Sequence, residues 1–122
     1  MQDYRNLSVW TKAHQLALSA YKATNMFPST EIFSLTSQIR RSSASIPANI
    51  AEGCGRGGGI ELKRFLQIAS GSAHELEYHL LLAADLGYLK SEDQIKLMDQ
   101  VSEVKRMLSA LIKKVKAEHS PQ

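Results

Sequence analysis

The segment His74-Glu-Leu-Glu-Tyr-His79 combines two histidines with two carboxylates, residue types that can bind zinc. A zinc-protease motif places its histidines four residues apart, on one face of a helix. His74 and His79 are five residues apart, which at about 100° per residue places them roughly 140° from each other. A di-iron bundle needs a histidine three residues after a glutamate, and neither Glu75 nor Glu77 has one. We therefore expect no metal site and interpret both histidines as surface or interface residues.

Gly53, Gly55 and Gly58 reproduce the spacing of the dinucleotide-binding fingerprint. That fingerprint functions where it follows a strand and opens a helix, and here a helical pattern precedes it. The segment also lacks the Gly-Lys-Ser/Thr ending of a phosphate-binding loop. We therefore interpret it as a turn between helices and expect no cofactor. One alternative stays open, because glycine amides before a helix can bind an anion.

Nucleophilic catalysis would require Cys54 or a serine to meet a base and an orienting group. No spacing in the sequence singles out such a set, so we predict that the protein is not an enzyme. The single cysteine cannot form an internal disulfide, which favours an intracellular protein. The strongest apolar run, Leu80 to Ala84, is far shorter than the roughly 20 residues of a membrane span. We expect a cytoplasmic protein with no membrane segment.

Five basic residues form the remaining candidate site, and their chain positions suggest that they gather around the end of helix two and the start of helix three. They are Arg40, Arg41, Arg56, Lys63 and Arg64. Such a set can bind nucleic-acid phosphates. No aromatic residue is interleaved to stack bases, which argues against a reader specific for single strands. The net charge of +3 permits an anionic partner without requiring one.

Structural ion pairs are the alternative interpretation of these charges. Arg41 shares a helical stripe with Glu52, and Glu75 on helix three is placed to pair with an arginine across the bundle. A second basic group lies on helix four and comprises Lys105, Arg106, Lys113, Lys114 and Lys116. We assign this second group mainly to the negative end of the helix dipole and to solubility.

Apolar residues at spacings of three and four predict the four helices that must position these candidates. The helices span about residues 8–26, 31–53, 60–86 and 91–117, with a short tail at 118–122. The connections are short enough to require antiparallel neighbours. With 122 residues, 43% of them hydrophobic, the chain has the size of one compact domain. We predict an all-α fold, an up-down-up-down antiparallel four-helix bundle in a single domain.

Helix two carries three stripes at helical spacing. The apolar stripe is Leu35, Ile39, Ile46 and Ile50; the small-residue stripe is Arg40, Ala44, Ala48, Ala51 and Gly55; the polar stripe is Gln38, Arg41, Ser45, Asn49 and Glu52. We interpret Arg41, Ser45, Asn49 and Glu52 as one polar line that specifies assembly. The small side chains would let a neighbouring backbone approach closely.

Pro47 interrupts the hydrogen bonding of helix two, because proline has no amide hydrogen and clashes with the carbonyl four residues back. We predict a kink near Pro47, with Ser42, Ser43 and Ser45 placed to satisfy the freed backbone groups. The alternative is two shorter helices, one ending near Ala44 and one starting at Pro47.

Helices three and four carry more apolar residues than one partner face would bury. Leu81 and Leu82 lie off the main stripe of helix three, and Met107 and Ile112 lie off that of helix four. Because burying a second apolar face is a common way to stabilise such a bundle, we expect a homo-oligomer.

The run from Gln38 to Gly53, QIRRSSASIPANIAEG, resembles the family of bacterial four-helix bundle proteins encoded by intervening sequences within 23S rRNA genes. So do the opening Leu7-x-Val9-Trp10, the pair Phe27-Pro28, and the segment from Phe65 to Ser72 followed by Glu-Leu-Glu. The resemblance covers nearly the whole chain. It implies a four-helix bundle, usually a ring-shaped homopentamer, with no known enzymatic activity. The chain also resembles the accessory protein of diversity-generating retroelements, a basic pentamer that works with a reverse transcriptase and nucleic acid.

Two hypotheses follow. The first is a non-enzymatic homo-oligomer that binds RNA, DNA or a nucleoprotein partner through the five basic residues, displayed several times around a ring. The second is a scaffold or regulatory protein that binds another protein and no nucleic acid, with the polar and small-residue stripes in its subunit contacts. The two differ in whether Arg40 and Arg41 are paired or exposed on a continuous positive surface.

Overall fold

A computed structural model describes residues 3–119 of the chain. Its long helices are α1 (Ser8–Thr24), α2 (Leu35–Gly55), α3 (Gly59–Asp85) and α4 (Ser91–Glu118). Two short 3-10 helices, Tyr4–Asn6 and Ser29–Glu31, precede α1 and α2. Each long helix packs against the next along the chain, α1 also packs against α4, and residues 3–119 contain no strand. The prediction of an all-α four-helix bundle is confirmed.

Contacts between the helices show that neighbours run antiparallel. Arg40, near the start of α2, donates a hydrogen bond to Thr24 at the end of α1. Ala23, near the end of α1, lines a small pocket together with Asp93 and Leu97 near the start of α4. The connections at 56–58 and 86–90 are too short to return the chain to the opposite end of the bundle. The up-down-up-down arrangement therefore brings the start of α1 and α3 and the end of α2 and α4 to one end.

The core consists of aliphatic side chains from all four helices. The largest fully buried ones are Leu16, Ile39, Ile46, Ile50, Leu66, Leu76, Leu80, Leu97, Val101, Val104 and Leu108. Burying one such side chain stabilises a fold by about 1.5–3 kcal/mol. The apolar stripe predicted for helix two lies entirely in this core. No helix within the described residues is long and apolar enough to cross a membrane.

Helix two begins later than predicted, at Leu35 and not near residue 31. Ser29–Glu31 form only one 3-10 turn after Pro28. The Glu31 carboxylate then accepts hydrogen bonds from the Ser34 hydroxyl (2.5 Å) and the Leu35 amide (3.3 Å). These bonds hold the chain in a turn before α2 starts. Helix one likewise ends at Thr24, two residues before the predicted end.

Helix two continues through Pro47 as one helix, so the alternative of two shorter helices is not realised. Pro47 itself is buried. The Ser42 hydroxyl donates to the Gln38 carbonyl (2.8 Å) and the Ser43 hydroxyl to the Arg40 carbonyl (3.0 Å). Both serines thus bond one turn towards the start of the helix, away from the carbonyls that Pro47 frees. The prediction that they satisfy those freed groups is wrong.

The turns after α2 and α3 use glycine where the backbone requires it. Gly57 and Gly87 have positive φ angles of 83° and 82°, a conformation that a side chain disfavours. The Gly87 amide donates to the Ala84 carbonyl at the end of α3, an arrangement in which glycine commonly ends a helix. Residues 120–122 of the predicted tail lie outside the described residues, and Glu118 belongs to α4.

Candidate nucleic-acid interface

The five basic candidates lie at two different ends of the bundle. Arg40 and Arg41 are near the start of α2, whereas Arg56 follows its end and Lys63 and Arg64 lie in the first turns of α3. From Arg40 to the end of α2 the helix rises by about 22 Å at about 1.5 Å per residue. The expectation that all five gather in one place is therefore wrong. The expectation took closeness in sequence for closeness in space, but most of the length of α2 separates Arg40 and Arg41 from Arg56.

Arg40 is held against its own bundle. Its Nε donates to Thr24 Oγ1 (2.8 Å) and its Nη2 donates to Asn25 Oδ1 (3.0 Å). The guanidinium also lies 5.2 Å from the ring centroid of Tyr21. These contacts tie the start of α2 to the end of α1. Arg40 therefore has a structural role within the chain.

The polar stripe of α2 faces α3. Arg41 pairs with Glu75 and also donates to Gln38 Oε1 (2.8 Å). Ser45 and Ser72 share a hydroxyl hydrogen bond of 2.9 Å, and the Asn49 amide donates to the Ser45 carbonyl and hydroxyl. The ion pair between Arg41 and Glu75 agrees with the alternative interpretation of the Arg41 charge, a structural ion pair across the bundle. Arg41 and Ser45 thus join two helices of one chain, and a role for the stripe in subunit contacts stays a prediction.

Arg56 and Arg64 share one aromatic ring at the opposite end of the bundle. Their guanidinium carbons lie 5.1 Å and 4.5 Å from the ring centroid of the buried Phe65. Arg56 also pairs with Glu52 (2.6 Å), and Arg64 pairs with Glu61 (3.1 Å). Glu52, the last member of the polar stripe, therefore faces this basic group instead of α3.

Lysines contributed by α3 and α4 complete this end. Lys63, Lys113 and Lys114 have no ion pair with any residue between 3 and 119. Lys114 lines a cleft of about 400 Å³ together with Gly57 and Gly58 of the turn before α3 and Gly59 at the start of α3. We call Arg56, Lys63, Arg64, Lys113 and Lys114 the basic end. From the sequence, Lys113 and Lys114 were assigned mainly to the helix dipole and to solubility. Their position in the basic end could have been inferred only from the antiparallel order of the helices, which brings the end of α4 to the glycine turn.

The cleft at the basic end is shaped by backbone that has no side chain. Gly59 lies against the ring of His119, and a Cβ at residue 59 would collide with that ring. Cys54 lines the same cleft but is buried. Burial raises the pKa of its thiol, which disfavours the nucleophilic thiolate. The cleft therefore combines Lys114 and glycine backbone with the Glu118 carboxylate, and its buried cysteine is disfavoured as a nucleophile.

The two histidines of the acidic segment do not converge. His74 is exposed, and its Nδ1 lies 2.8 Å from the Ser70 carbonyl of its own helix. His79 is partly buried. Between residues 3 and 119 no group of three or more histidine, cysteine, aspartate or glutamate side chains is arranged to hold a metal ion. The basic end is therefore the strongest candidate for a functional site among residues 3–119.

A sequence model of the 23S rRNA-intervening sequence proteins matches residues 5–110 of the chain. The chain belongs to this family. The resemblance seen in the run from Gln38 to Gly53 is thus confirmed, and this run forms most of α2. No curated protein matches the chain.

A solved relative of this 23S rRNA-intervening sequence protein supports the same fold. It is a protein of unknown function from the S23 ribosomal protein family of Bacteroides thetaiotaomicron. The two chains share 27% identity and superpose with a TM-score of 0.79, over 86% of this chain and 95% of the relative. The four-helix arrangement is therefore shared by chains whose sequences differ at most positions.

Proposed function

We propose that this family member is a non-enzymatic homo-oligomer that binds nucleic acid through phosphate contacts at the basic end. The observation that carries this proposal is the convergence of the end of α2, the start of α3 and the end of α4 on one basic surface. Lys63, Lys113 and Lys114 keep their charges free of ion pairs within residues 3–119. Lysine ammonium groups that contact phosphates displace the counterions condensed on the nucleic acid, which gives sequence-independent affinity.

The chemistry of the basic end favours recognition of the nucleic-acid backbone over recognition of the bases. Phe65 is the aromatic residue among these cations, and it is only 6% exposed beneath Arg56 and Arg64. A buried ring cannot stack on a nucleobase. Arg56 and Arg64 keep guanidinium donors beyond those that hold Glu52 and Glu61, since each guanidinium has five. We therefore propose a ligand recognised by its phosphates and not by its sequence.

Self-association would raise the affinity of a surface that carries few charges. Four large apolar side chains along the outer face of α3 are exposed: Ile60, Ile68, Tyr78 and Leu81. These side chains lie on one side of the helix, among exposed polar residues such as Gln67 and His74, and they favour this side as an interaction site. Several copies of the basic end held in one assembly would bind one nucleic acid with an avidity that a single copy lacks. Leu82, Met107 and Ile112, which also motivated the expectation of an oligomer, pack partly against the core instead.

Charge reversal at the two ends of the bundle tests the nucleic-acid proposal. The test variant is Lys63→Glu, Lys113→Glu and Lys114→Glu together. The matched control is Lys22→Glu, Lys90→Glu and Lys96→Glu, which changes the net charge equally at the opposite end. No ion pair within residues 3–119 is broken by either set.

Binding of a labelled RNA duplex and a DNA duplex of equal length is measured by fluorescence anisotropy across a salt series. We expect affinity to fall steeply with salt for the wild type and the control. The test variant is expected to lose at least about tenfold in affinity, with a shallower salt dependence. No binding by the wild type at low salt, or equal losses in both variants, would contradict the proposal.

A protein scaffold is the second candidate function, and one observation favours it. An open apolar groove of about 490 Å³ lies between α1 and α2. We call it the α1–α2 groove; it is lined by Tyr4, Trp10, His14, Ala17, Leu18, Tyr21, Ala44, Pro47, Ala48 and Ala51. A groove of this kind suits a helix of a partner protein. Absence of nucleic-acid binding in an assembled wild-type protein would favour this candidate.

A further inference from the structure

Both arginines of the basic end are held by carboxylates that lie three or four residues away in the chain. Arg56 Nη2 donates to Glu52 Oε2 (2.6 Å), and Arg64 Nη2 donates to Glu61 Oε2 (3.1 Å). These four side chains together carry no net charge. The net positive charge of the basic end therefore comes from its three lysines, which have no ion pair within residues 3–119.

The two ion pairs are open to solvent and to a competing anion. All four side chains are between 43% and 55% exposed. One hydrogen bond joins each pair, whereas the strongest arginine–carboxylate pairs have two parallel bonds. Water and salt screen exposed pairs of this kind, which leaves them a small net stabilisation. A phosphate that approaches the basic end can therefore displace both carboxylates.

Phe65 would keep the two guanidinium groups in place after such a displacement. Their central carbons lie 5.1 Å and 4.5 Å from the centroid of its ring, and so within about 10 Å of each other. The ring attracts cations and is itself fixed, because Phe65 is buried in the bundle. Two positive charges this close repel each other. One anion that contacts both guanidinium groups offsets that repulsion.

A phosphodiester is better suited to this position than the carboxylates that occupy it. Each guanidinium group has five N–H donors in a planar fork, which matches the oxygens of a phosphate. A nucleic acid also brings further phosphates to the neighbouring lysines, which a carboxylate of the chain does not. After the exchange, however, the carboxylates of Glu52 and Glu61 remain beside a negatively charged ligand. Their repulsion lowers the affinity.

We propose that Arg56 and Arg64 form one phosphate-binding site over Phe65, and that Glu52 and Glu61 compete with the phosphate for it. This inference rests on the proposed nucleic-acid binding and names the groups that limit its affinity. On binding, the guanidinium groups exchange carboxylate oxygens for phosphate oxygens and stay over the ring. The glutamates are thus intramolecular competitors, and the wild type binds more weakly than its basic residues alone would allow.

Replacing the competitors by glutamine tests the inference, because glutamine keeps the size of the side chain and removes its charge. Glu52→Gln and Glu61→Gln, singly and together, are titrated with the same labelled duplexes across a salt series. We expect each substitution to raise affinity about twofold to fivefold, the size expected for releasing an exposed ion pair. The double variant should also show a steeper salt dependence, since both arginines then neutralise phosphate without leaving a free carboxylate.

Two controls separate competition from a general change of charge. Glu118→Gln removes an exposed carboxylate at the same end, one that lines the cleft and has no ion pair within residues 3–119. We expect it to raise affinity less than either test substitution. In an Arg64→Gln background, Glu61→Gln should have no larger effect than Glu118→Gln, because the coupling belongs to the pair. Thermal unfolding checks that every variant keeps its fold.

Different failures have different meanings. A wild type that binds while both glutamine variants match Glu118→Gln would overturn the competition and leave the nucleic-acid proposal standing. Weaker binding by the glutamine variants would show that the carboxylates position the arginines for the ligand, which also overturns the inference. If neither the wild type nor the double variant binds either duplex at low salt, the proposed function and the inference fall together.

Discussion

Two guanidinium groups lie over the ring of Phe65, and each also holds a carboxylate of a neighbouring turn. A cation–π contact of this kind stabilises by about 0.5–1 kcal/mol at an exposed site. The more important effect is orientation, because Arg56 and Arg64 lose part of their rotational freedom before any ligand arrives. At the scale of single residues, the basic end is therefore partly preorganised.

The Glu31 carboxylate accepts hydrogen bonds from three different residues. It accepts from Ser34, from the Leu35 amide and from the Tyr88 hydroxyl (3.1 Å). The Ser34 hydrogen bond is the main cause that lowers the pKa of Glu31, and the Leu35 and Tyr88 bonds act in the same direction. Because the folded pKa lies below the unfolded one, this stabilisation is present above the ordinary glutamate pKa of about 4.3. It is lost as pH falls through the folded pKa.

We expect Glu31→Gln to flatten the acid side of the stability profile. The free energy of unfolding of the wild type should fall as pH drops below about 4.3, and the variant should lack the part of this fall that belongs to Glu31. Urea denaturation at a series of pH values measures the free energy of unfolding of both proteins. Glu92→Gln is the matched control, since Glu92 accepts no side-chain hydrogen bond within the described residues. Parallel acid profiles for the wild type and Glu31→Gln would contradict the prediction.

At the scale of helices, two glycines have opposite surroundings. A Cβ at Gly53, near the end of α2, would lie 2.9 Å from the Phe65 Cβ and 3.1 Å from a Leu62 methyl group. Gly53 therefore lets α2 and α3 approach closely beside the basic end. A Cβ at Gly71 would meet no atom of another element within 4 Å between residues 3 and 119. The same residue type thus serves packing inside the bundle in one helix and is free of internal contacts in the next.

We expect alanine to have opposite effects at these positions. Gly71→Ala should raise the free energy of unfolding of the dissociated chain by about 1 kcal/mol, because alanine favours the helix. Gly53→Ala should lower it by about 1–3 kcal/mol, because the added methyl group forces α2 and α3 apart. Urea denaturation at low protein concentration measures both values. A stabilised Gly53→Ala variant would show that the contact between α2 and α3 is looser than the structure indicates.

At the scale of the whole molecule, charge and apolar surface are separated. The basic end lies where α2 and α4 finish, whereas the exposed Ile68, Tyr78 and Leu81 lie further along the side of α3. Side-to-side association therefore leaves the basic ends uncovered. The same separation allows self-association and nucleic-acid binding to be altered by different substitutions.

We expect Tyr78→Glu to dissociate the assembly and to weaken nucleic-acid binding by at least about tenfold through lost avidity. The matched control is Ile95→Glu, which places the same charge at a 63% exposed residue on α4. Sedimentation and anisotropy on the same samples measure the two effects. A dissociated Tyr78→Glu variant that keeps full affinity would show that single copies bind without avidity.

Several features of the fold could be predicted from local sequence. The spacing of apolar residues placed α3 and α4 to within one residue at each end, because helical periodicity is set along a continuous segment. The start of α2 was placed too early, because the Glu31 side chain folds back on Ser34 and Leu35. Ser29 and Thr30 are residue types that commonly cap the start of a helix, and only the hydrogen bonds of the Glu31 carboxylate place that start at Leu35.

The sequence by itself determined four helices, a buried apolar stripe on each, and membership of a family recognised in α2. The tertiary structure alone decided which charges meet. In the folded chain Arg41 pairs with Glu75, Arg40 contacts α1, and Lys114 lies beside the glycine turn. The physical reason is range: periodicity and turn chemistry act within a few residues, whereas an ion pair or a cleft depends on how distant helices pack.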